Sequence, residues 1–299
     1  MPELPEVENL RIGLERNILG QKIIDLKVKK PKLVSGKGTI RLASKTKVKE
    51  FEDGLLNEIF FKIERRAKNL IFRFKSGKVL LVHLKMSGQF VYKSKNSDKK
   101  VIGGHPIELS EKEIPNKHTH VTFKLNNGTL YYNDTRMFGY LLYYPSDENL
   151  DKAKHFELLG LEPLNKNFTA KYLIESLKKK KGKIKAVLMN QEIVTGLGNI
   201  YADESLFESK IKPVRSASSL KKEEVKSLYR AIIRIIKKAI KVGGSSVATY
   251  KLLDDSMGNY AREHKVYGKS GEKCSRCGYL LEKTTVQSRT TIFCPNCQK

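Results

Sequence analysis

Val7, Leu10, Leu14 and Ile18 recur at intervals of three and four, with Gly20 just beyond them. That spacing predicts an amphipathic helix of about three turns carrying the N-terminus at its start. The period then changes to two. Ile24, Leu26 and Val28 alternate with polar residues, as do Ile59, Phe61 and Ile63, and then Leu70, Phe72 and Phe74. Each alternation predicts a half-buried strand. Ser76-Gly77 turns the chain into the apolar run Val79-Leu80-Leu81-Val82. Asn126-Asn127-Gly128 then separates residues 121–125 from 129–132 as a hairpin whose turn suits positive φ. Residues 139–144 add a further strand, whereas residues 93–117 form a long polar loop with no clear period. Residues 1–146 therefore predict a mostly antiparallel β domain, a two-layer sandwich or flattened barrel with a helix at its head.

After residues 145–149, which read as a linker, the pattern turns helical. Helices are expected over 169–181, 183–191, 200–209 and 220–242. The last is the clearest, with Leu228, Ile232, Ile235, Ile236 and Ala239 on one side and Gly243-Gly244 as its stop. Residues 245–265 carry only a weak pattern and read as a long loop. The domain plan is thus α+β: a β domain over 1–146, a helical domain over 147–265 and a cysteine-bearing segment over 266–299.

Charge adds a partner to this plan. The chain has 58 Lys and Arg against 32 Asp and Glu, a net charge of +26 and a pI near 9.8. Such an excess favours an anionic partner, nucleic acid first. No run of eighteen or more apolar residues is present, so no membrane span is expected, and the acidic N-terminus is unlike a signal peptide. All four cysteines fall in the last 26 residues, which suits metal binding in a reducing compartment, the cytoplasm.

Cys274-x-x-Cys277 and Cys294-x-x-Cys297 are separated by sixteen residues rich in Thr, Val, Ile and Phe, enough for a β-hairpin. Tetrahedral zinc needs four such ligands, and each turn supplies two, so one structural Zn²⁺ is expected; paired disulfides are the alternative. Lys178-Lys179-Lys180-Lys181, with Lys183 and Lys185, forms a basic run. Gly196-x-Gly198-Asn199 opens a helix where backbone N–H groups can meet a phosphate. Run, glycines and cysteine hairpin together indicate a clamp on a nucleic-acid backbone.

The chain begins Met1-Pro2-Glu3-Leu4-Pro5-Glu6-Val7-Glu8. With Met1 removed, Pro2 presents a secondary α-amine, a group that titrates at roughly 7.7–8.0 against roughly 10.4 for lysine. Its nucleophilic fraction at neutral pH is accordingly far larger, and attack on a sugar carbon gives a cationic iminium. Glu3 lies beside it as a proton donor or acceptor. The plainer reading makes Pro5 the first residue of a helix, with Glu6 and Glu8 complementing its dipole.

The stretches Pro2 to Glu8, Arg65-Arg66-Ala67-Lys68, His83-Leu84-Lys85-Met86-Ser87-Gly88, Lys117-His118-Thr119-His120 and Asp134-Thr135-Arg136-Met137-Phe138-Gly139 carry a resemblance. So do Gly196-Leu197-Gly198-Asn199-Ile200-Tyr201-Ala202, Val266-Tyr267-Gly268-Lys269 and the cysteine array with Arg289. In this order and spacing the chain resembles the formamidopyrimidine-DNA glycosylase family along nearly its whole length. The resemblance implies an N-terminal β-sandwich, a helical domain with a helix–two-turn–helix motif and a zinc finger. It implies a monomeric glycosylase and abasic-site lyase, working at the nucleoid, that excises oxidised purines from damaged double-stranded DNA. By the same resemblance Pro2 is the nucleophile, Glu3 a proton donor, Lys68 a lysine of elimination and phosphate binding, and Arg289 the finger arginine of δ-elimination. His83, His118, Lys180 and Asn199 match DNA-contacting positions. Met86, Arg136 and Phe138 match the side chains that fill the gap left by the flipped nucleotide, with Arg136 reading the orphaned cytosine.

Lys85 and Met137 depart from the family pattern, as does the length of the 93–117 loop, and residues 245–265, expected to cover the flipped base, show no defined pocket. Two other functions fit parts of the sequence. An endonuclease VIII-like enzyme for oxidised pyrimidines is disfavoured by Leu4 and by the Arg136/Phe138 pair. A non-catalytic zinc-ribbon nucleic-acid-binding protein accounts for the charge and the cysteines, but not for Pro2-Glu3 and Lys68.

Overall fold

The computed structural model of the chain describes residues 1–36, 40, 42–96, 100–104, 114–245 and 259–299. They divide into two compact units, residues 1–157 with 243–259 and residues 158–242 with 260–299.

The first unit opens with helix α1 (Leu4–Ile18), which buries Leu4, Val7, Leu10, Leu14 and Ile18 as one stripe. Pro5 stands in its first turn, where a missing N–H leaves no bond unmade. Strands β1 (Ile23–Val28), β2 (Phe60–Arg66), β3 (Asn69–Phe74), β4 (Val79–His83), β5 (Gly88–Ser94), β6 (Lys100–Gly104), β7 (Thr119–Leu125), β8 (Gly128–Asp134) and β9 (Tyr140–Tyr144) follow, with helix α2 (Lys45–Leu55) after β1. They form a five-stranded sheet, β1-β7-β8-β5-β6, and a four-stranded sheet, β2-β3-β4-β9, with every pairing antiparallel. Leu70, Phe72, Phe74, Leu80 and Val82 from one sheet meet Phe90, Val121, Phe123, Leu130 and Tyr132 from the other, closed off by α1 and α2. The sandwich expected from the alternation is therefore present.

The continuous apolar run at 79–82 has a simple cause: the four-stranded sheet is covered on both faces. Val79 and Leu81 pack with Ile71, Leu142 and Leu150, the last from helix α3 (Asp147–Lys152), which Ser146 caps. Two phase expectations fail. Ile23 is buried while Ile24 is 43% exposed, and Phe60 is buried while Phe61 is 60% exposed. A register shift sits at each place, between Ile23 and Asp25 and between Phe60 and Lys62. One inserted residue flips every later side chain to the opposite face, which period counting cannot foresee. Helix α2 was also absent from the pattern reading; Val48, Phe51 and Leu55 face the core, and Ser44 caps it by accepting from Lys47 N. In the polar 93–117 stretch, β5 runs to Ser94 and β6 spans 100–104, while residues 97–99 and 105–113 lie outside the described residues.

The second unit holds α4 (Ala170–Lys178), α5 (Ile184–Met189), α6 (Asn199–Glu208) and α7 (Lys222–Lys241). Helix α7 buries Leu228, Ile232, Ile235, Ile236 and Ala239, as expected, together with Val225 and Ala231. Near the C-terminus β10 (Glu282–Val286) and β11 (Arg289–Phe293) form a hairpin. Its two-residue turn, Gln287-Ser288, has φ of 46° and 57°, the left-handed pair that matches the twist of flanking strands. Among the described residues no helix is long and apolar enough to cross a membrane.

Candidate active site and metal centre

Helix α1 lies antiparallel along β2. Gly20 N donates to Phe60 O at 2.8 Å, Arg11 reaches Ile63 O at 3.3 Å, and Glu8 pairs with Arg65 at 2.8 Å. Continuing that register from Glu8 to Pro2, on the order of 9 Å at 1.5 Å per residue, leads to the far end of β2 and the Ala67-Lys68 turn. Pro2 and Glu3 are buried there, and Lys68 is only 6% exposed. Ala67, at φ 57°, takes a left-handed conformation usually left to glycine, and this sets the direction in which Lys68 leaves the hairpin. Glu8 is held below the ordinary carboxylate range: burial works to raise it, but Arg11 and Arg65 outweigh that effect.

Glu6 belongs with these residues, although the sequence reading gave it only a dipole role. Its Oε2 accepts from Glu3 N at 2.9 Å and its Oε1 from Ser245 N at 2.7 Å. One buried carboxylate thereby ties the N-terminal residues to the start of the 245–265 segment. Gly244 is required beside it, since its φ is 81° and an added Cβ would stand 2.9 Å from Glu6 Oε1. Ser245 pairs with Asn259 across the base of that segment, and residues 246–258, expected to cover the flipped base, lie outside the described residues. The signal for Glu6 was the third position of a helix, where a glutamate can reach back to the capping N–H.

The remaining first-unit candidates open from the same end of the sheets. Asn69, His83 and Tyr140 are cross-strand neighbours, so the Lys68 turn, the 84–87 loop with Met86 and the 135–139 loop with Arg136 and Phe138 adjoin. Thr119 pairs with Asn133 and Gly88 with Asp134, which brings in His118. Arg136 and Phe138 are exposed, with the guanidinium 4.7 Å from the ring centroid, and Met86 and His118 are half-buried. Lys85 and Met137, the departures from the family pattern, both take left-handed φ, 52° and 54°. His83 accepts from Lys85 N through Nδ1 at 3.0 Å, which leaves Nε2 to carry the proton. Burial first, then the charges of Lys85 and Lys68, pushes its pKa down to about 3, so at neutral pH His83 offers a neutral N–H.

In the second unit Lys180 is exposed between α4 and α5, while Asn199 begins α6 and donates to Thr290 O at 3.3 Å. Arg289, exposed, is the first residue after the left-handed hairpin turn. Lys185 does not belong to the exposed basic run in which its sequence placed it. It is wholly buried on the inner face of α5, ion-paired to Asp203 at 2.8 Å and donating to Thr291 Oγ1 at 2.7 Å and Thr290 O at 3.0 Å. A buried ammonium needs this many partners to offset its lost hydration, and they fasten the strand that begins at Arg289 onto α5 and α6. Glu204, also buried, accepts from the backbone N–H groups of Lys265, Val266 and Tyr267.

The four cysteine Sγ atoms lie within 4.8 Å of one another, with Cys274–Cys297 at 3.9 Å and Cys277–Cys294 at 3.5 Å. Four sulfurs at about 2.3 Å from a tetrahedral zinc stand about 3.8 Å apart. The separations fit that ion, and they are far beyond a disulfide bond of about 2.05 Å. Arg276 N and Cys297 N point at Cys274 Sγ and Cys294 Sγ, as thiolate ligands require. The residues hold one structural Zn²⁺.

Sandwich, helical unit and four-cysteine finger are the frame of a DNA glycosylase class, and three family models match in that order. The formamidopyrimidine-DNA glycosylase N-terminal domain matches residues 1–141, its H2TH domain residues 159–251, and the zinc finger found in FPG and IleRS residues 271–299. The formamidopyrimidine-DNA glycosylase of Desulfitobacterium hafniense is 38% identical over 298 residues, covering 100% of both chains. That of Bacillus cereus is 39% identical over 299 residues, covering 100% of this chain and 99% of its own. Among solved structures, a Lactococcus lactis FPG mutant in complex with Fapy-dG-containing DNA superposes with a TM-score of 0.84 at 37% identity over 100% of both chains. Lactococcus lactis Fpg in complex with abasic-site DNA gives 0.84 at 37% identity over 99% of each. The chain belongs to the formamidopyrimidine-DNA glycosylase family.

Proposed function

We propose that this chain is a bifunctional glycosylase and abasic-site lyase that removes oxidised purines from duplex DNA, acting as a monomer in the cytoplasm at the nucleoid. The observation that carries the proposal is the convergence in one unit of the buried Pro2-Glu3 head, Lys68 and the loops bearing Met86, Arg136 and Phe138. A base inside the stack exposes no sugar carbon to attack, so the damaged nucleotide must be extruded first. The Pro2 nitrogen then bonds C1′ as the base departs with its electron pair, and Glu3 supplies a proton to the opening sugar. The iminium so formed acidifies the C2′ protons; loss of one expels the 3′ phosphate, and a second elimination expels the 5′ phosphate. Lys68 and Arg289 hold and neutralise those leaving phosphates, and Met86, Arg136 and Phe138 occupy the vacated stack.

In this division of labour the first unit carries the chemistry, the helices of the second unit grip the duplex, and 266–299 carry Arg289. The test is a panel of lesion duplexes under single turnover. Oxidised guanine opposite cytosine should be excised fastest, with both flanking phosphates left on the nicked ends. One similar structure is a complex of Lactococcus lactis Fpg with oxidised pyrimidine-containing DNA, so the panel includes such a lesion. Faster excision of the pyrimidine would move this chain to the endonuclease VIII-like reading.

The protonation states give a second expectation. If Lys68, Lys180 and Arg289 each neutralise a phosphate, log K should fall with log salt by about 0.9 per contact. Lys180→Ala should reduce that slope by about one. His83→Gln should weaken binding with the slope unchanged, because the neutral imidazole releases no counterion. A reduced slope for His83→Gln in titrations at pH 7 would show that the ring is charged on DNA.

A further inference from the structure

Asp134 is the last residue of β8 and is wholly buried. Its Oδ1 accepts from Met137 N at 3.0 Å, from Arg136 N at 3.2 Å and from the hydroxyl of Ser87. Its Oδ2 accepts from Gly139 N at 2.7 Å and, more weakly, from Tyr132 Oη at 3.5 Å. Ser87 Oγ in turn accepts from Arg136 N at 3.1 Å. One carboxylate therefore gathers three backbone N–H groups of the 135–139 loop and the one hydroxyl that ends the 84–87 loop. Among the described residues no lysine or arginine is ion-paired with it, and these five donors compensate its burial.

The two loops are also close to each other sterically. A Cβ at Gly139 would fall 1.8 Å from Tyr132 Oη, and one at Gly88 would fall 2.7 Å from the same oxygen and 2.6 Å from Leu84 O. Both loops thus close down on the same Tyr132 hydroxyl. Each contains a non-glycine residue held at positive φ, Lys85 at 52° and Met137 at 54°. Such conformations persist only where surrounding bonds over-determine them, and the bonds to Asp134 on Met137 N and Gly139 N flank one of them directly. From behind, His120 Nε2 lies 2.8 Å from the Asp134 carbonyl and fixes the backbone at this point.

We infer that Asp134 is a positioning residue that joins the Met86 loop and the Arg136–Phe138 loop into one preformed wedge, so that gap filling and reading of the opposite base act together. This rests on the proposed function, in which those three side chains enter the stack. A carboxylate accepts at both oxygens, whereas an asparagine in its place must present an amide N–H to a backbone N–H. Asp134→Asn therefore keeps the shape and breaks the fastening on one side.

The experiment compares wild type, Asp134→Asn and the milder Ser87→Ala, which removes the tie between loops without burying an unpaired charge. Three readouts are taken: single-turnover excision of oxidised guanine opposite cytosine and opposite adenine, and strand cleavage at an abasic site in single-stranded DNA, which has no stack to fill. For Asp134→Asn, duplex excision should fall at least tenfold more than single-strand cleavage, and the cytosine-to-adenine ratio should move toward one. Ser87→Ala should shift that ratio in the same direction by about threefold to tenfold. Adding Arg136→Ala to either variant should lower the ratio no further, since both act through the same guanidinium. Equal losses on duplex and single strand, a wild-type ratio in Ser87→Ala, or multiplicative effects with Arg136→Ala would each overturn the inference. If wild type cleaves no abasic DNA at all, the proposed function has failed instead, and the two outcomes are distinct.

Discussion

A chain extended by a few residues before Pro2 should bind damaged duplex but form no covalent adduct and leave both strands intact. The extension turns the Pro2 nitrogen into an amide, whose lone pair is delocalised into the carbonyl and is no longer a nucleophile. The expected loss is the whole chemical step, so excision and cleavage should fall below detection, whereas Lys180, Asn199 and the finger are unaltered. In the unextended chain lacking Met1, borohydride should reduce the iminium to a stable amine and leave DNA attached to the N-terminal peptide. Pro2→Gly makes a weaker control, because it retains a primary α-amine capable of partial trapping. The setting explains why this amine is suited to the task. Pro2 is buried at the head of α1, and Glu6 holds the next residue's N–H in place. A cross-link that maps to Lys68, or full activity in the extended chain, would assign the nucleophile elsewhere.

How far the sequence disclosed this arrangement depended on whether a feature was local. Helix α7 was legible because its apolar stripe, from Val225 to Ala239, repeats over about four turns, and the finger was legible because CxxC spacing is a covalent-scale ruler. The Ala67-Lys68 turn, the wedge loops and Pro2-Glu3 were legible only as short motifs in a family's order. What escaped depended on contacts distant in sequence. Lys185 looked like one more surface lysine in a basic run; only Asp203 and Thr291, eighteen and 106 residues away, show it to be buried. Glu6 looked like a helix-dipole acid until Ser245, 239 residues on, supplied its second donor. The bulges beside Ile23 and Phe60 were hidden because an inserted residue leaves composition unchanged and alters only phase. Asp134 stands within one of those motifs, but four of its donors come from two loops that only the sheet register brings together, and the fifth, Tyr132, comes from its own strand.

Removing the metal should have the other large effect. Cys294 is fully buried and packs with Cys274, Leu281, Ile292, Val266 and Phe207, so the cysteine ligand set is part of the apolar cluster that joins the finger to α6. A segment this short cannot bury enough surface to fold unaided, whereas structural zinc contributes about 10–16 kcal/mol in finger peptides near pH 7. Chelation, or Cys294→Ser, should therefore melt the 282–293 hairpin. Arg289 is then no longer presented on a rigid turn, and Lys185 loses Thr290 O and Thr291 Oγ1, which weakens the setting of its ion pair with Asp203. The consequence should extend from the finger into α5 and α6, so loss of duplex binding is expected along with loss of δ-elimination. The sandwich of the first unit shares none of these bonds and should retain its near-ultraviolet dichroism and its slow amide exchange in β3, β4 and β8. Elemental analysis of wild type should return one zinc per chain, and the Cys294→Ser protein none. A metal-free wild type with cysteines oxidised in pairs, or a Cys294→Ser chain that grips DNA at wild-type affinity, would show that the hairpin is held by its bonds to Lys185, Asn199 and Asp203 without zinc.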